Sequence, residues 1–352
     1  MAQIDPKDLG IEPLWTRRNI IREFWENLPI WFFYLEALGL LYFIMANISE
    51  ADFKAMNLCR QILGATAFFP LLVVYFYYRL RIRDSKLPYD KIKLHRQMLA
   101  IIFGIPFCVW LFYTIFPFFR ITLEQNGVRK LFEIMQVSWI LIFMVHTWWS
   151  RGIHRFITVY VIALLYGVIL ENTGIYLGYF SEPHYMWYFG KLPAPFCTML
   201  GWCLVFYACI WIAEFFRERF PTFAVTPLRS ALLATAIAIA LDLQLDPLAS
   251  LSGVFWKWNE SQAPWFLGVP FCNYAAWFGA FISFAWAYFY VVERKDLTIF
   301  QKHLKLLAHV PLIAIIAGLI WMALMIIYDR GFSGPTFKIL SEFFSKITPY
   351  GS

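Results

Sequence analysis

Long, mainly apolar runs dominate this chain, with neither strict alternation nor a one-sided helical stripe. They fall at about 29–46, 61–78, 98–118, 132–149, 156–171, 194–216, 230–247, 267–292 and 307–328. A hydrocarbon core about 30 Å thick asks for roughly twenty such residues per helix. Strands of a membrane barrel would instead alternate apolar and polar positions. Helices are therefore the spanning element, and the pattern predicts an all-α fold, a polytopic transmembrane helix bundle of about nine spans. Residues 1–28 precede the bundle as a polar segment, 29–328 form one helical domain, and 329–352 follow as a tail. A polar stretch that runs straight into a full-length span does not have the form of a cleavable signal peptide.

Short loops carry the orientation signal, because Lys and Arg accumulate on the cytoplasmic side. With the N-terminus cytoplasmic, that side holds Arg17, Arg18 and Arg22, the cluster from Arg79 to Arg96, and Arg151, Arg155, Arg217, Arg294 and Lys302. Two thirds of the basic residues then share one face, and the alternation holds through all the spans. Composition agrees with a membrane chain. Of 352 residues, 61% are hydrophobic and 15% charged, against about half and a quarter in soluble domains. Net charge is +7, but topology accounts for it without a nucleic-acid partner. The aromatic content, 20%, exceeds what interfacial belts require and suggests an aromatic-lined interior, or many lipid-facing Phe. The six cysteines (Cys59, Cys108, Cys197, Cys203, Cys209 and Cys272) form no CxxC pair and read as small core residues.

Ionisable residues inside spans cost roughly 2.5–3.5 kcal/mol each near the helix centre and mark function by default. Three stand out: Glu171, Asp242 and Asp246. Asp242 and Asp246 are four apart and share a helix face. The topology places all three toward the non-cytoplasmic side. The plain alternative is polar glue between helices. Pro247 is expected to end its helix, since the residue before a proline is pushed out of helical geometry. Gly268 and Pro270 suggest a tight turn into the next helix. Between them lies a short, aromatic, nearly uncharged stretch, read as a re-entrant or interfacial loop over the carboxylates. Glu214 is expected to pair with Arg217. His146 reads as a core or interfacial histidine, and His303 and His309 fall on different faces. No GxGxxG, Walker or GxSxG pattern occurs.

Four segments, Glu171-Asn172-Thr173-Gly174, Asp242 to Pro247, Trp256-Lys257-Trp258, and Gly268-Val269-Pro270-Phe271-Cys272-Asn273-Tyr274-Ala275-Ala276-Trp277, resemble the integral-membrane carotenoid 1,2-hydratases, a family of carotenoid biosynthesis proteins. The likeness covers about 156–292, with Tyr274 in place of the usual Phe and Ala276 in place of Gly. It includes, with looser spacing, the loop from Tyr179 through Glu182 to Tyr185. The resemblance implies addition of water to a terminal double bond of an acyclic carotenoid end group. It also implies catalytic roles for Asp242, Asp246 and Glu171, and substrate contacts from Asn172, Tyr179, Trp256, Trp258, Asn273 and Trp277.

The chemistry can be reasoned independently. Protonating such an alkene gives a tertiary carbocation. One carboxyl donates the proton while another activates water, and aromatic faces stabilise the cation by about 0.5–2 kcal/mol each. That reaction needs no metal or redox cofactor. The expected partners are membrane lipid, a hydrophobic polyene and other enzymes of the pathway, in a bacterial inner membrane. Two other classes stay open. A membrane subunit or proton-coupled transporter would use the carboxylates as a proton path. An intramembrane prenyltransferase would need a second Asp-rich motif to hold Mg²⁺, and only one is evident, on the side opposite to that reaction.

Overall fold

The computed structural model describes residues 25, 28, 29 and 32, then 125–219, 226–252, 254–266 and 268–347. The expected spans 61–78 and 98–118, nearly all of 29–46, and Cys59 and Cys108 lie outside these residues. What is described is mainly helical. In chain order it comprises α1 (Gln125–Ile157), a π-helical segment (Thr158–Ala163), α2 (Leu164–Tyr176) and α3 (Phe196–Arg219). Then come α4 (Pro227–Ser252), α5 (Phe271–Val292), α6 (Ile299–Tyr328) and α7 (Pro335–Ile347).

Among the described residues, five stretches are long and apolar enough to cross a membrane: Gly152–Tyr176, Phe196–Glu214, Pro227–Pro247, Phe271–Val292 and Ile299–Tyr328. They coincide with the last five expected spans. The expected span 132–149 is helical throughout, within α1, but is not among the five. α1 breaks at Gly152, whose φ of 79° suits a residue without a Cβ. The helix after this break runs through the π-helical segment into α2.

α3 is the most buried of the five spans and α6 the least. α5 packs along both α4 and α6. The α5–α6 approach is close because position 279 has no side chain: a Cβ on Gly279 would sit 2.6 Å from the Ala317 carbonyl oxygen. Much of the aromatic content forms the centre of this packing. Tyr166 stacks on Phe284 at 5.4 Å, and Phe206 lies 4.3 Å from Phe281, all four buried. The described cysteines, Cys197, Cys203, Cys209 and Cys272, are free and buried, as small core residues should be.

Two expectations change. α4 does not stop at Pro247 but continues to Ser252 with the proline inside it. Neighbouring helices let membrane helices tolerate proline, and Trp258 Nε1 donates to Ser250 Oγ at 2.7 Å, holding the extension. The segment after α6 is no featureless tail either, since α7 forms there with Phe337 and Ile339 buried.

Candidate active site

The loops at one end of the bundle form a small layer over it. β1 (Phe180–Ser181) pairs antiparallel with β2 (Lys257–Trp258), and β3 (Pro264–Phe266) with β4 (Val269–Pro270). The expected covering loop is thus built from two short ribbons. Pro270 caps α5 in extended geometry after Gly268 at φ 89°, matching the predicted tight turn. Gly174 lets the Phe180 ring lie against α2, because a Cβ there would collide with Phe180 Cε1. That close fit, at a glycine three residues after Glu171, seats the ribbon that begins at Phe180.

Under this layer four carboxyl groups converge. Asp242 and Asp246, one turn apart on α4, are both buried. Asn273, in the first turn of α5, donates from Nδ2 to Asp242 Oδ2 at 3.0 Å and to Asp246 Oδ2 at 2.5 Å. The two aspartates thus share the Asn273 amide and interact with each other. Glu171 forms a second such pair with Glu182. Trp202 Nε1 donates to Glu171 Oε2 at 2.6 Å, and Thr198 Oγ1 donates to Glu182 Oε2 at 3.0 Å. The charges of Glu171 and Asp246 act on Glu182, so the two pairs form one cluster. Burial, first, and the Glu171 carboxyl, second, hold Glu182 well above the usual carboxylate range. Among the described residues none of the four acids forms an ion pair.

The cluster borders a cavity of about 720 Å³ whose wall is otherwise mainly apolar. Glu171, Glu182, Asp246 and Asn273 line it, as do Tyr179, Trp256, Trp258 and Trp277. Two of the expected residues do not. Asp242 lies behind Asp246, fully buried and off the cavity wall. Asn172 is used in packing: it donates to the Val168 carbonyl at 2.8 Å and accepts from Ala194 N at 3.2 Å, tying α2 to the start of α3. Tyr179 reaches the wall with its hydroxyl committed to the Thr336 carbonyl, 3.0 Å away. Polar capacity is left over at this end: Asp242 Oδ1, Trp256 Nε1 and Tyr274 Oη are buried without a hydrogen-bond partner. Buried polar atoms are ordinarily satisfied, and of these three residues Trp256 lines the cavity, where its indole N–H suits a polar reactant.

Sequence reasoning had given no role to Glu182, Trp202 or Glu133. Trp202 completes an aromatic wall, 5.0 Å from Trp277. Glu133, fully buried on α1, accepts from the backbone N–H groups of Met186 (3.1 and 3.0 Å) and Trp187 (3.1 Å), which clamps the loop bearing Glu182. The pairing of Glu214 also differs from the expected one. Arg155 donates to it at 2.6 Å and Tyr288 Oη at 3.1 Å, while Arg217 pairs with Glu293. His146 is buried and hydrogen-bonded to Tyr207 Oη at 2.9 Å, the core histidine that was expected.

A family model described as carotenoid biosynthesis protein matches residues 129–337, more than half of the chain and all four acids of this site. No curated protein and no solved structure matches it.

Proposed function

The chain belongs to the carotenoid biosynthesis protein family, and from that premise we propose that it adds water to the terminal double bond of an acyclic carotenoid end group. Its setting is a nine-span bundle in a bacterial inner membrane, with the N-terminus cytoplasmic and the acids toward the opposite face. The observation that carries this reading is the cluster of four acids, paired two and two, at the end of an aromatic cavity. An apolar cavity selects a hydrocarbon guest. Buried acids that meet no counter-ion among the described residues hold protons, which is what an alkene needs before it will accept water.

A carboxyl of the Asp242–Asp246 pair gives its proton to the CH carbon of the trisubstituted double bond. The π electrons form the new C–H bond, and a tertiary cation remains on the dimethyl carbon. The indole faces of Trp256, Trp258 and Trp277 stabilise that cation by about 0.5–2 kcal/mol each. A water oxygen bonds to the cationic carbon while the Glu171–Glu182 pair takes the surplus proton. The net result is one tertiary alcohol and one proton moved from the aspartate pair to the glutamate pair. Asp246, which interacts with both glutamates, is the route for its return.

The test is to express Asp242→Asn and Asp246→Asn in a lycopene-producing host and chromatograph the pigments. The wild-type protein is expected to give hydroxylated product and both variants to lose it. Undiminished product from the variants overturns the assigned roles. Proton flux in proteoliposomes without any pigment change would favour a transporter instead.

A further inference from the structure

The cavity that reaches the acids also reaches the outer face of the bundle. There its wall comes from Ile169 and Thr173 of α2 and from Ile315, Gly318 and Leu319 of α6, all exposed on membrane-crossing segments. Phe344 of α7 borders it as well and is 56% exposed. The acids of the wall are Glu171, Glu182 and Asp246, and the last two are buried. The cavity therefore runs from an exposed apolar rim to an enclosed acid end.

Gly318 is the unusual residue of that rim. No described residue lies within 4 Å of the place its Cβ would occupy. No tight packing explains this glycine, in contrast to Gly279 facing Ala317. A glycine inside a helix is destabilising by roughly 0.5–1 kcal/mol relative to alanine, and here no contact offsets that cost. It lies ten residues before the helix end at Tyr328, about 15 Å along the axis at 1.5 Å per residue. The gap above it thus opens at hydrocarbon depth and away from water. Gly201 of α3 lines the same cavity and likewise faces open space. A guest longer than the cavity must leave its far end in the bilayer, which a lateral gap permits and a closed chamber does not.

We propose that the gap over Gly318, between Ile169 and Ile315, is the port through which a linear isoprenoid chain slides from the bilayer, end group first, toward the acids. Gly318 sets its width. The identity of the guest rests on the function proposed above; the port itself rests on the cavity.

The experiment purifies the full chain in detergent from a lycopene-producing host. Polyene absorbance per protein and hydroxylated product are measured for the wild type, Gly318→Trp and Leu312→Trp. Leu312 is exposed on the same helix but is not part of the cavity wall. Gly318→Trp is expected to lower both bound polyene and product at least tenfold, and Leu312→Trp to leave both within twofold. If Gly318→Trp does not give monodisperse protein, Ile315→Trp carries the same expectation. Polyene retained at the wild-type level by the rim variant overturns the port, as does an equal loss in Leu312→Trp. A wild-type protein that neither holds polyene nor makes product overturns the proposed function. A wild type that does both, matched by an unaffected rim variant, overturns the port alone.

Discussion

The two ends of this bundle treat sequestered carboxylates in opposite ways. At one end Glu214 takes the Arg155 guanidinium and the Tyr288 hydroxyl, and Glu293 takes Arg217. At the other, Glu171, Glu182, Asp242 and Asp246 meet an indole, a hydroxyl, an amide and one another. Even Arg129, buried near that end, directs Nε to the Val254 carbonyl at 2.7 Å and Nη1 to Asn126 at 2.8 Å. Taking a charge out of water costs several kcal/mol, and an opposite charge with good geometry repays much of it. An acid without such a partner meets the cost by keeping its proton. The arginine end therefore joins helices, and on the proposed reading the acid end stores protons. Substitutions at the two ends should accordingly fail in different currencies, stability at the first and conversion at the second.

The largest expected effect falls on conversion. Asp246→Asn and Asp242→Asn should lower hydroxylated product by at least about 100-fold, the lower range of general acid catalysis, while folded yield stays near wild type. Glu214→Gln, at the arginine end, should leave product per folded protein unchanged. Pigment chromatography normalised to purified protein makes the comparison. Equal losses at both ends would erase the distinction.

Stability reverses the order. Arg155→Met leaves Glu214 with only the Tyr288 hydroxyl, at a site where both side chains keep some solvent access, 21% and 14%. The loss should be about 1–3 kcal/mol, most of it the desolvation of a stranded carboxylate. Adding Glu214→Gln should recover a large part, since it removes the charge that lost its partner. Thermal unfolding in detergent of the single and double variants measures this. A double variant no better than the single would show that the arginine acts by packing instead.

The same contrast explains what could be read along the chain and what could not. Glu171, Asp242 and Asp246 are conspicuous because charges interrupt apolar runs, and the four-residue spacing correctly puts the aspartates on one face. Spacing does not say how far along that face the cavity extends, so only the structure separates Asp246 on the wall from Asp242 behind it. Glu182 was legible as a loop residue and no more. Its burial depends on Phe180–Ser181 pairing with Lys257–Trp258, far later in the chain, and on Glu133 clamping the loop from another helix. Neither contact leaves a local periodic signal. Asn172 was misplaced for a related reason: a polar residue beside a catalytic one looks functional in sequence, yet its amide is used up by backbone groups. Pro247 shows local propensity overridden by tertiary support.

Glu133 tests how far the acid end depends on its clamp. Glu133→Gln keeps the shape but weakens hydrogen bonds that a carboxylate makes to Met186 and Trp187. Charge-assisted bonds of this kind exceed neutral ones by roughly 1 kcal/mol. The loop should become more open to protease, and conversion should fall a fewfold, because the variant moves Glu182 without removing it. Limited proteolysis beside the pigment assay reads both effects. Protection equal to wild type would assign Glu133 a purely electrostatic part.

The smallest effect at any one pH is the most specific to uncompensated acids. Glu182 lies in the loop, and burial with the neighbouring Glu171 carboxyl raises it well above the ordinary range. An unfolded glutamate loses its proton near pH 4.3. Above that pH the folded protein still holds the Glu182 proton and the unfolded chain does not. The raised group therefore contributes stability that is fully present below the unfolded value and is lost as pH climbs toward the folded one. One such group gives a slope of about −1.4 kcal/mol per pH unit across that window. Melting temperature in detergent should fall as pH rises from about 5, and Glu182→Gln should flatten the decline, since glutamine neither gains nor loses a proton. Glu214→Gln, at the arginine end and outside the acid cluster, is the control and should not flatten it. An unchanged slope in Glu182→Gln would mean that Glu182 is ionised in the folded protein, and the acid end would then need a counter-ion of its own.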